Sequence, residues 1–507
     1  MAQEIEIKLS VDPEHARHLW VVLARHPHRK PVSHRLFSAY YDTPDRRLQR
    51  GGVALRLRRE GKRWIQTVKG AGIAAGGLHQ RTEHEAVVPA QLPSFPAMIE
   101  AGFGKLVAGK RTRDALQVAF TTEFRRTSTL IRPRPGTIIE VSLDRGAIVA
   151  GERREPIFEI ELELKVGEPG ALFDLALEIV RGMPARLDNR SKAQRGYSLA
   201  ARTEPSPVKA SMPPLSANMA VDDALVAVAF HCLAHLQDNE AGLLAGRDPE
   251  YLHQARVALR RLRSVFRVFD AAIPRSHFAG ALDELKSVAR LLGNARDLDV
   301  FAFETLPHAG SGPHGGVTAL RRRTRNARQR AVRAARSAIA APAYTSMLLQ
   351  LTHALLAGQW RSETARPVAA NRTLLKFAAK TVSRGYAHVE KRGRHISQLG
   401  FADLHRLRIQ ARRLRYAIEF FLPLFDDKAA GTLQALVDLQ DCLGQFNDDA
   451  SAWELLDVLA AEDASADYQQ AIGFVRGWCA GDAEQCRNRF EDVWKRFDAS
   501  HPWWESL

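Results

Sequence analysis

Glu4-Ile5-Glu6-Ile7-Lys8-Leu9 sets two carboxylates and an ammonium in one row. Side chains alternate across a strand, so Glu4, Glu6 and Lys8 share one face while Ile5, Ile7 and Leu9 share the other. Hard cations take oxygen ligands, so this row suggests cation binding beside an anionic ligand. Taken alone, it could equally be the solvated face of a surface strand. Recurrence separates the two readings. Arg56 and Arg58 share a face opposite Leu55 and Leu57, and Thr67 lies with Lys69. The same holds for Arg81, Glu83 and Glu85, for Thr122, Phe124 and Arg126, and for Glu140, Ser142 and Asp144. Glu159, Glu161 and Glu163 complete the series, with Ile160, Leu162 and Leu164 behind them.

About eight strands with one apolar and one charged face must position these groups. An open antiparallel sheet explains alternation, but not acids and bases sorted strand by strand. Eight strands closed into a barrel leave an interior for a small ligand. Charges turned inward are costly unless they pair, bind metal or hold a charged ligand. The residues between these strands include Pro13 to Arg25, which carries Ala16, Leu19, Trp20, Val22 and Leu23 at helical spacing.

The ordered set Glu4-x-Glu6-x-Lys8, Tyr41-Asp42-Thr43, Leu55-Arg56-Leu57-Arg58, Thr67-x-Lys69, Arg81-x-Glu83-x-Glu85, Glu159-x-Glu161-x-Glu163-Leu164 and Ser191-Lys192-x-x-Arg195-Gly196-Tyr197 resembles the CYTH family of triphosphate tunnel metalloenzymes. The resemblance covers nearly all of residues 1–202. It implies an eight-stranded antiparallel tunnel that hydrolyses a triphosphate with Mg²⁺ or Mn²⁺. By the same resemblance Glu4, Glu6, Glu161 and Glu163 are metal ligands. Lys8, Arg56, Arg58, Lys69, Arg81, Arg126 and Lys192 are triphosphate ligands, with Arg126 exchanging faces with Arg125 on a slip of one residue. The chemistry suits these residue types: arginine neutralises phosphate bidentately, and phosphoryl transfer needs mainly positioning and charge stabilisation. No separate residue has to be the general base, so Glu4 or Glu6, acting through a metal-bound water, is assigned that catalytic role.

Residues 203–221, rich in Pro, Ser and Ala, read as a linker. From 222 to 507 the composition turns to long helical stretches with an internal repeat, about 222–365 and 366–507. His253-x-x-Arg256-x-x-x-Arg260-Arg261-x-Arg263 is echoed by His405-x-x-Arg408-x-x-x-Arg412-Arg413-x-Arg415. Leu292-Gly293, ending in Asp297 and Asp299, is echoed by Leu443-Gly444, ending in Asp448 and Asp449. On a helix His253, Arg256, Arg260, Arg263 and Arg267 form one stripe, as do His405, Arg408, Arg412 and Arg415. Like charges at i,i+4 repel by a few tenths of a kcal/mol per pair, so the stripe costs helix stability and a polyanion lying along it would repay that cost. For the two histidines a capping or core imidazole is an equal reading. Arg321 to Arg336, with eight arginines and no acid, is less regular and could be a solvated helix.

This half resembles the CHAD domain, an all-α module of two pseudo-symmetric helical bundles found beside CYTH domains. The resemblance implies polyphosphate binding by the basic helices and no catalysis. Asn447 stands where the first copy has Arg296, so the two halves need not bind equally.

The expected fold is α+β and multidomain: an N-terminal eight-stranded antiparallel β tunnel and a C-terminal all-α domain. A formal charge of +16 over 507 residues calls for a polyanionic partner. Inorganic triphosphate as substrate and inorganic polyphosphate as partner meet that need. Nucleic acid is the weaker candidate, because no basic platform interleaved with aromatics is present. Thiamine triphosphate hydrolysis and class IV-like adenylate cyclisation need an organic group beside the tunnel, whereas Trp20, Tyr40, Tyr41 and Trp64 read as core. A non-catalytic polyphosphate-binding or granule-targeting protein is the other alternative, but a pure anion binder gains nothing from inward Glu4 and Glu6. Cys232, Cys442, Cys479 and Cys486 show neither a disulfide framework nor metal-ligand spacing. No leader and no apolar run long enough for a membrane is read, so the expected location is cytoplasmic, with possible association with polyphosphate granules.

Overall fold

The alternating segments close into a barrel. The computed structural model describes residues 2–202, 205–246, 248–310, 316–358, 360–361, 373–500 and 503–506. Its barrel strands are β1 (Ala2–Val11), β2 (Val32–Asp42), β3 (Ala54–Glu60), β4 (Arg63–Ala75), β5 (Leu78–Val88), β6 (Gln117–Ile131), β7 (Ile138–Ala150) and β8 (Arg153–Val166), and a short ninth strand, β9 (Ala185–Leu187), pairs with β1 outside the ring. They run in the order β5-β4-β3-β2-β6-β7-β8-β1, and pairing of β1 with β5 closes the ring, all antiparallel. The expected eight-stranded tunnel is therefore present. In this order β3 stands diametrically across from β8.

Two outward apolar shells fix the register. Leu55, Leu57 and Val68 pack with Met98 and Val107 from the β5–β6 connection. Ile7, Leu9, Ile160 and Leu162 are fully buried on the other side, where the helix Gly170–Gly182 packs on β1 and β8. Burying each such side chain contributes roughly 1.5–3 kcal/mol, and slipping by one residue would turn it into the lumen. Lumen polarity and shell packing thus specify the same register.

The chain divides into two compact units, Met1–Ser206 with Ala340–Ala357, and Pro207–Ile339 with Gly358–Leu507. The first unit thus takes in the helix Pro342–Ala357, which packs against Gly170–Gly182. There His353 stacks on Phe173 with ring centroids 5.3 Å apart.

The second unit is helical, and the repeat shows in its packing. The basic helix Pro249–Val268 lies against Val221–Ala245 and Ala279–Val300. The second basic helix, Phe401–Phe421, lies against Leu374–Gly393 and Ala430–Ala460 in the same sequence order, and it also touches the first. No helix among the described residues is long and apolar enough to cross a membrane. The four cysteines are free and buried.

Candidate active site and basic pocket

The inward faces of the strands line a cavity of about 1310 Å³. Strand alternation delivers Glu4, Glu6 and Lys8 to it from β1, Arg56 and Arg58 from β3, Lys69 from β4 and Arg81 from β5. Arg126 enters from β6, and Glu161 and Glu163 from β8. Every tunnel residue expected from the sequence therefore meets in one lumen. Arg125 is exposed on the outside, which fixes the register in favour of Arg126.

Lys192 arrives differently. It is the first residue of the helix Lys192–Ala201, whose Ser191 and Gln194 form a reciprocal capping box. That cap turns the ammonium into the barrel, where it donates to Asp144 at 2.6 Å and Glu161 at 3.0 Å and meets Glu159. Arg195, one turn on, bonds Glu159 at 3.0 Å and Glu155 at 2.7 Å. A side chain at Gly196 would come within 2.1 Å of the Phe120 ring, so this helix seats closely only with glycine there.

Charge in the lumen is unevenly compensated. On the β1–β8 side, Lys8 donates to Glu161 at 2.7 Å, and Arg81 donates to Glu6 at 2.8 Å and Glu4 at 3.1 Å. Lys69 donates to Glu4 at 2.9 Å, and Arg126 to Asp144 at 2.7 Å and to Glu161. Burial pushes the Glu4 carboxyl up, but Lys69, Arg81 and Lys8 outweigh it and hold the group well below the usual carboxylate range. Glu161 behaves likewise: burial opposes ionisation, and Lys192, Lys8 and Arg126 overcome it. Glu163 is set apart, joined to Lys165 at 2.7 Å, with its carboxyl raised by burial.

On β3, across the tunnel, carboxylates are scarce. Arg56 donates to Thr67 at 3.0 Å and makes long approaches to Glu85 at 3.5 Å and Glu83 at 3.7 Å, and among the described residues Arg58 reaches only exposed Glu60, at 3.2 Å. Nε of each is buried without a hydrogen-bond partner. Burial, then Arg56 and Arg126, push the Arg58 guanidinium down. A buried cation repelled by its neighbours favours an incoming anion.

Several participants were legible only in part. Asp144 and Glu159 are on the alternating faces, but their strands supply several acids each and nothing in the pattern ranks them. Asp144, Glu159 and Glu161 bring carboxylate oxygens within 4.8 Å of one another, an all-oxygen set of the kind that suits a hard divalent cation. Tyr40 packs in a buried cluster as expected, stacking on Phe120 at 4.5 Å between centroids, and also lines the cavity. Tyr41-Asp42-Thr43 serves the local backbone, where Asp42 accepts from the N–H groups of Thr43, Leu48 and Gln49 at 2.7–2.9 Å and fixes the turn after β2.

In the second unit His253, Arg260, Arg408, Arg412 and Arg415 line a cavity of about 710 Å³ between the two basic helices. Arg256 is outside that lining, held by Asp297 at 3.4 Å. Arg263, Arg267 and His405 are not in its lining. Arg267 sits two helical turns beyond Arg260 and is exposed, while His405 pairs with Asn447 at 2.9 Å. The stripe of the sequence is thus split by the packing. Burial, then Arg260, push the Arg412 guanidinium down to about 10, with Arg408 and Arg256 adding to the effect. Within the irregular basic run, Arg323 pairs with Asp463 and Arg328 with Asp299, so that helix face is partly neutralised.

Comparison with known proteins follows the same division. The family model of the CYTH domain matches residues 2–197, and that of the CHAD domain matches residues 227–457. An inorganic triphosphatase of Haemophilus influenzae is 34% identical over 202 residues, covering 40% of this chain and 56% of the relative. The chain therefore spans about half the length of that curated relative. The crystal structure of the CHAD domain from the plant Ricinus communis aligns with a TM-score of 0.52 and 31% identity, covering 59% of this chain and 98% of that one.

Proposed function

Because the chain joins a CYTH domain to a CHAD domain, we propose that its tunnel hydrolyses inorganic triphosphate to diphosphate and phosphate with Mg²⁺ or Mn²⁺, and that its helical unit binds inorganic polyphosphate without cleaving it. The observation that carries this reading is the opposition across the tunnel: carboxylates on β1 and β8, and under-compensated Arg56 and Arg58 on β3. A phosphate chain can satisfy the arginines while a cation satisfies the acids. The triphosphatase activity of the relative from Haemophilus influenzae supports the same chemistry.

In this reading Glu4, Glu6, Glu161 and Glu163 hold the metal, and their oxygen-only donor set fits a hard cation. When bound, the ion neutralises phosphate charge and acidifies the attacking water. Arg56, Arg58 and Arg126 grip phosphate oxygens, Arg126 by releasing Asp144 or Glu161. Lys8, Lys69, Arg81 and Lys192 keep the acids ionised until substrate arrives and then share their charge with it. Glu4 or Glu6 takes up the proton of the water. Polyphosphate lies along His253, Arg256, Arg260, Arg408, Arg412 and Arg415 and would draw the protein to cytoplasmic polyphosphate granules.

Phosphate release from triphosphate, diphosphate, ATP and thiamine triphosphate, with and without Mg²⁺ or Mn²⁺, tests the reading. Triphosphate should be hydrolysed fastest, and only with metal. Faster turnover of ATP or thiamine triphosphate would move the assignment to an organic triphosphate. No turnover of any of the four would leave a polyphosphate-binding protein.

A further inference from the structure

Behind the basic pocket lies a second cluster that no step above uses. Asp449 on the helix Ala430–Ala460 and Asp482 and Cys486 on the helix Ala466–Asn488 bring two carboxylate oxygens and a thiol sulfur within 4.8 Å of one another. We propose that Asp449, Asp482 and Cys486 form a binding site for a borderline-soft divalent cation of the zinc type, pinning these two helices together.

Three observations carry it. First, Asp449 is 3% exposed, and its Oδ2 is buried without a hydrogen-bond partner. Among the described residues neither Asp449 nor Asp482 has an ion pair. A buried carboxylate left unpaired is costly, and a cation removes that cost. Second, the acid is not required by the fold. When the sequences of the two repeats are aligned on their Leu-Gly pairs, Asp449 falls at the position of Leu298, and Leu298 is 9% exposed. The buried acid of the first copy, Asp299, is neutralised by Arg328. Third, Gln445 Nε2 donates to Asp482 Oδ2 at 2.8 Å and so fixes that carboxylate's orientation, as outer partners of metal ligands do.

Mixed carboxylate and thiolate donors select zinc over magnesium or calcium, which prefer oxygen alone. Binding would release the thiol proton, since the thiolate is the ligand. Without metal, burial and then Asp482 and Asp448 push the Asp449 carboxyl up to about 7, so a proton is the competing occupant. Chain spacing gave no sign of the site, because its ligands come from two helices.

Cobalt(II) is the probe, because thiolate ligation gives a sulfur-to-cobalt charge-transfer band. All four cysteines lie beyond residue 231, so cobalt in the tunnel gives no such band. Titrated into the chelator-treated full-length protein, cobalt should produce the band at one equivalent, and zinc should bleach it. Cys486→Ser should abolish the band, Cys232→Ser should leave it, and Gln445→Ala should weaken binding about tenfold. Asp449→Leu, which installs the residue of the first copy, serves as a second variant should Cys486→Ser not fold, and it too should lose the band. Absence of the band in the unaltered protein, or its survival in Cys486→Ser or Asp449→Leu, overturns the proposal.

Discussion

The tunnel and the basic pocket both gather cations away from water, and they compensate them differently. In the tunnel Lys8, Lys69, Arg81, Arg126 and Lys192 are tied within 3.3 Å to carboxylates largely shielded from water, whereas Arg58 has exposed Glu60 and Arg56 has Glu85 and Glu83 at 3.5 Å or more, which leaves these two as the short-handed pair. In the pocket Glu419 pairs with Arg415 at 2.6 Å and with Arg261, whereas Arg260, Arg408 and Arg412 confront one another, with Asp297 and Asp448 only partly offsetting their repulsion. A compensated site admits a polyanion only if the freed carboxylates find another cation. An uncompensated site takes the polyanion alone. On the proposed reading, this difference would separate metal-dependent chemistry from metal-free binding within one chain.

Chelation is the broadest way to break this comparison. Removing divalent metal should stop triphosphate hydrolysis and leave polyphosphate affinity within about twofold, measured by phosphate release and by titration calorimetry. Loss of both together would make the distinction wrong. Glu6→Gln should likewise cut turnover on the order of 10³-fold while the protein still folds and polyphosphate binding holds. Wild-type rates from that variant would remove Glu6 from the chemistry.

A sharper contrast lies inside the tunnel. Arg126→Ala removes one cation from two buried acids, Asp144 and Glu161, that Lys192 and Lys8 still contact, and should cost about 1.5–3 kcal/mol of stability in denaturant titrations. Arg58→Ala strands no buried acid. It should lower kcat/KM for triphosphate about 10²-fold and leave stability nearly unchanged. Equal destabilisation by the two would mean that Arg58 is structural.

In the pocket the expected signs reverse. Arg412→Gln relieves repulsion from Arg260 and Arg408, so it should raise the melting temperature by a few degrees while weakening polyphosphate binding about tenfold and flattening its salt dependence. A lower melting temperature would indicate that the crowding is already relieved by partners.

The smallest effect is in acid. His79 is buried beside Lys8, bonds the carbonyl of Asp188 at 3.0 Å, and titrates at about 4 because burial and then Lys8 disfavour its charged form. Its folded pKa lies below its unfolded value, so stability is intact above about pH 6.5 and declines as pH falls towards 4, by at most about 3 kcal/mol. His79→Gln, which keeps a donor for Asp188, should flatten that part of the stability profile.

Much of this was written in local sequence, because strand alternation is a two-residue rule that survives without tertiary knowledge. It placed Glu4, Glu6, Lys8, Arg56, Arg58, Lys69, Arg81, Glu161 and Glu163 on inward faces, and the repeated basic helices announced a two-copy helical half. Tertiary packing decided what alternation cannot express. Closure of β1 on β5 turned separate charged faces into one lumen, and it determined which cation faces which acid, so that Arg58 and not Arg81 is left short of partners. The angle between two basic helices kept Arg260 and Arg412 in a pocket and left Arg263 and Arg267 outside it. Asp449, Asp482 and Cys486 met across two helices for the same reason: periodicity fixes the direction of a side chain from its own backbone, whereas a site depends on the directions of several backbones at once.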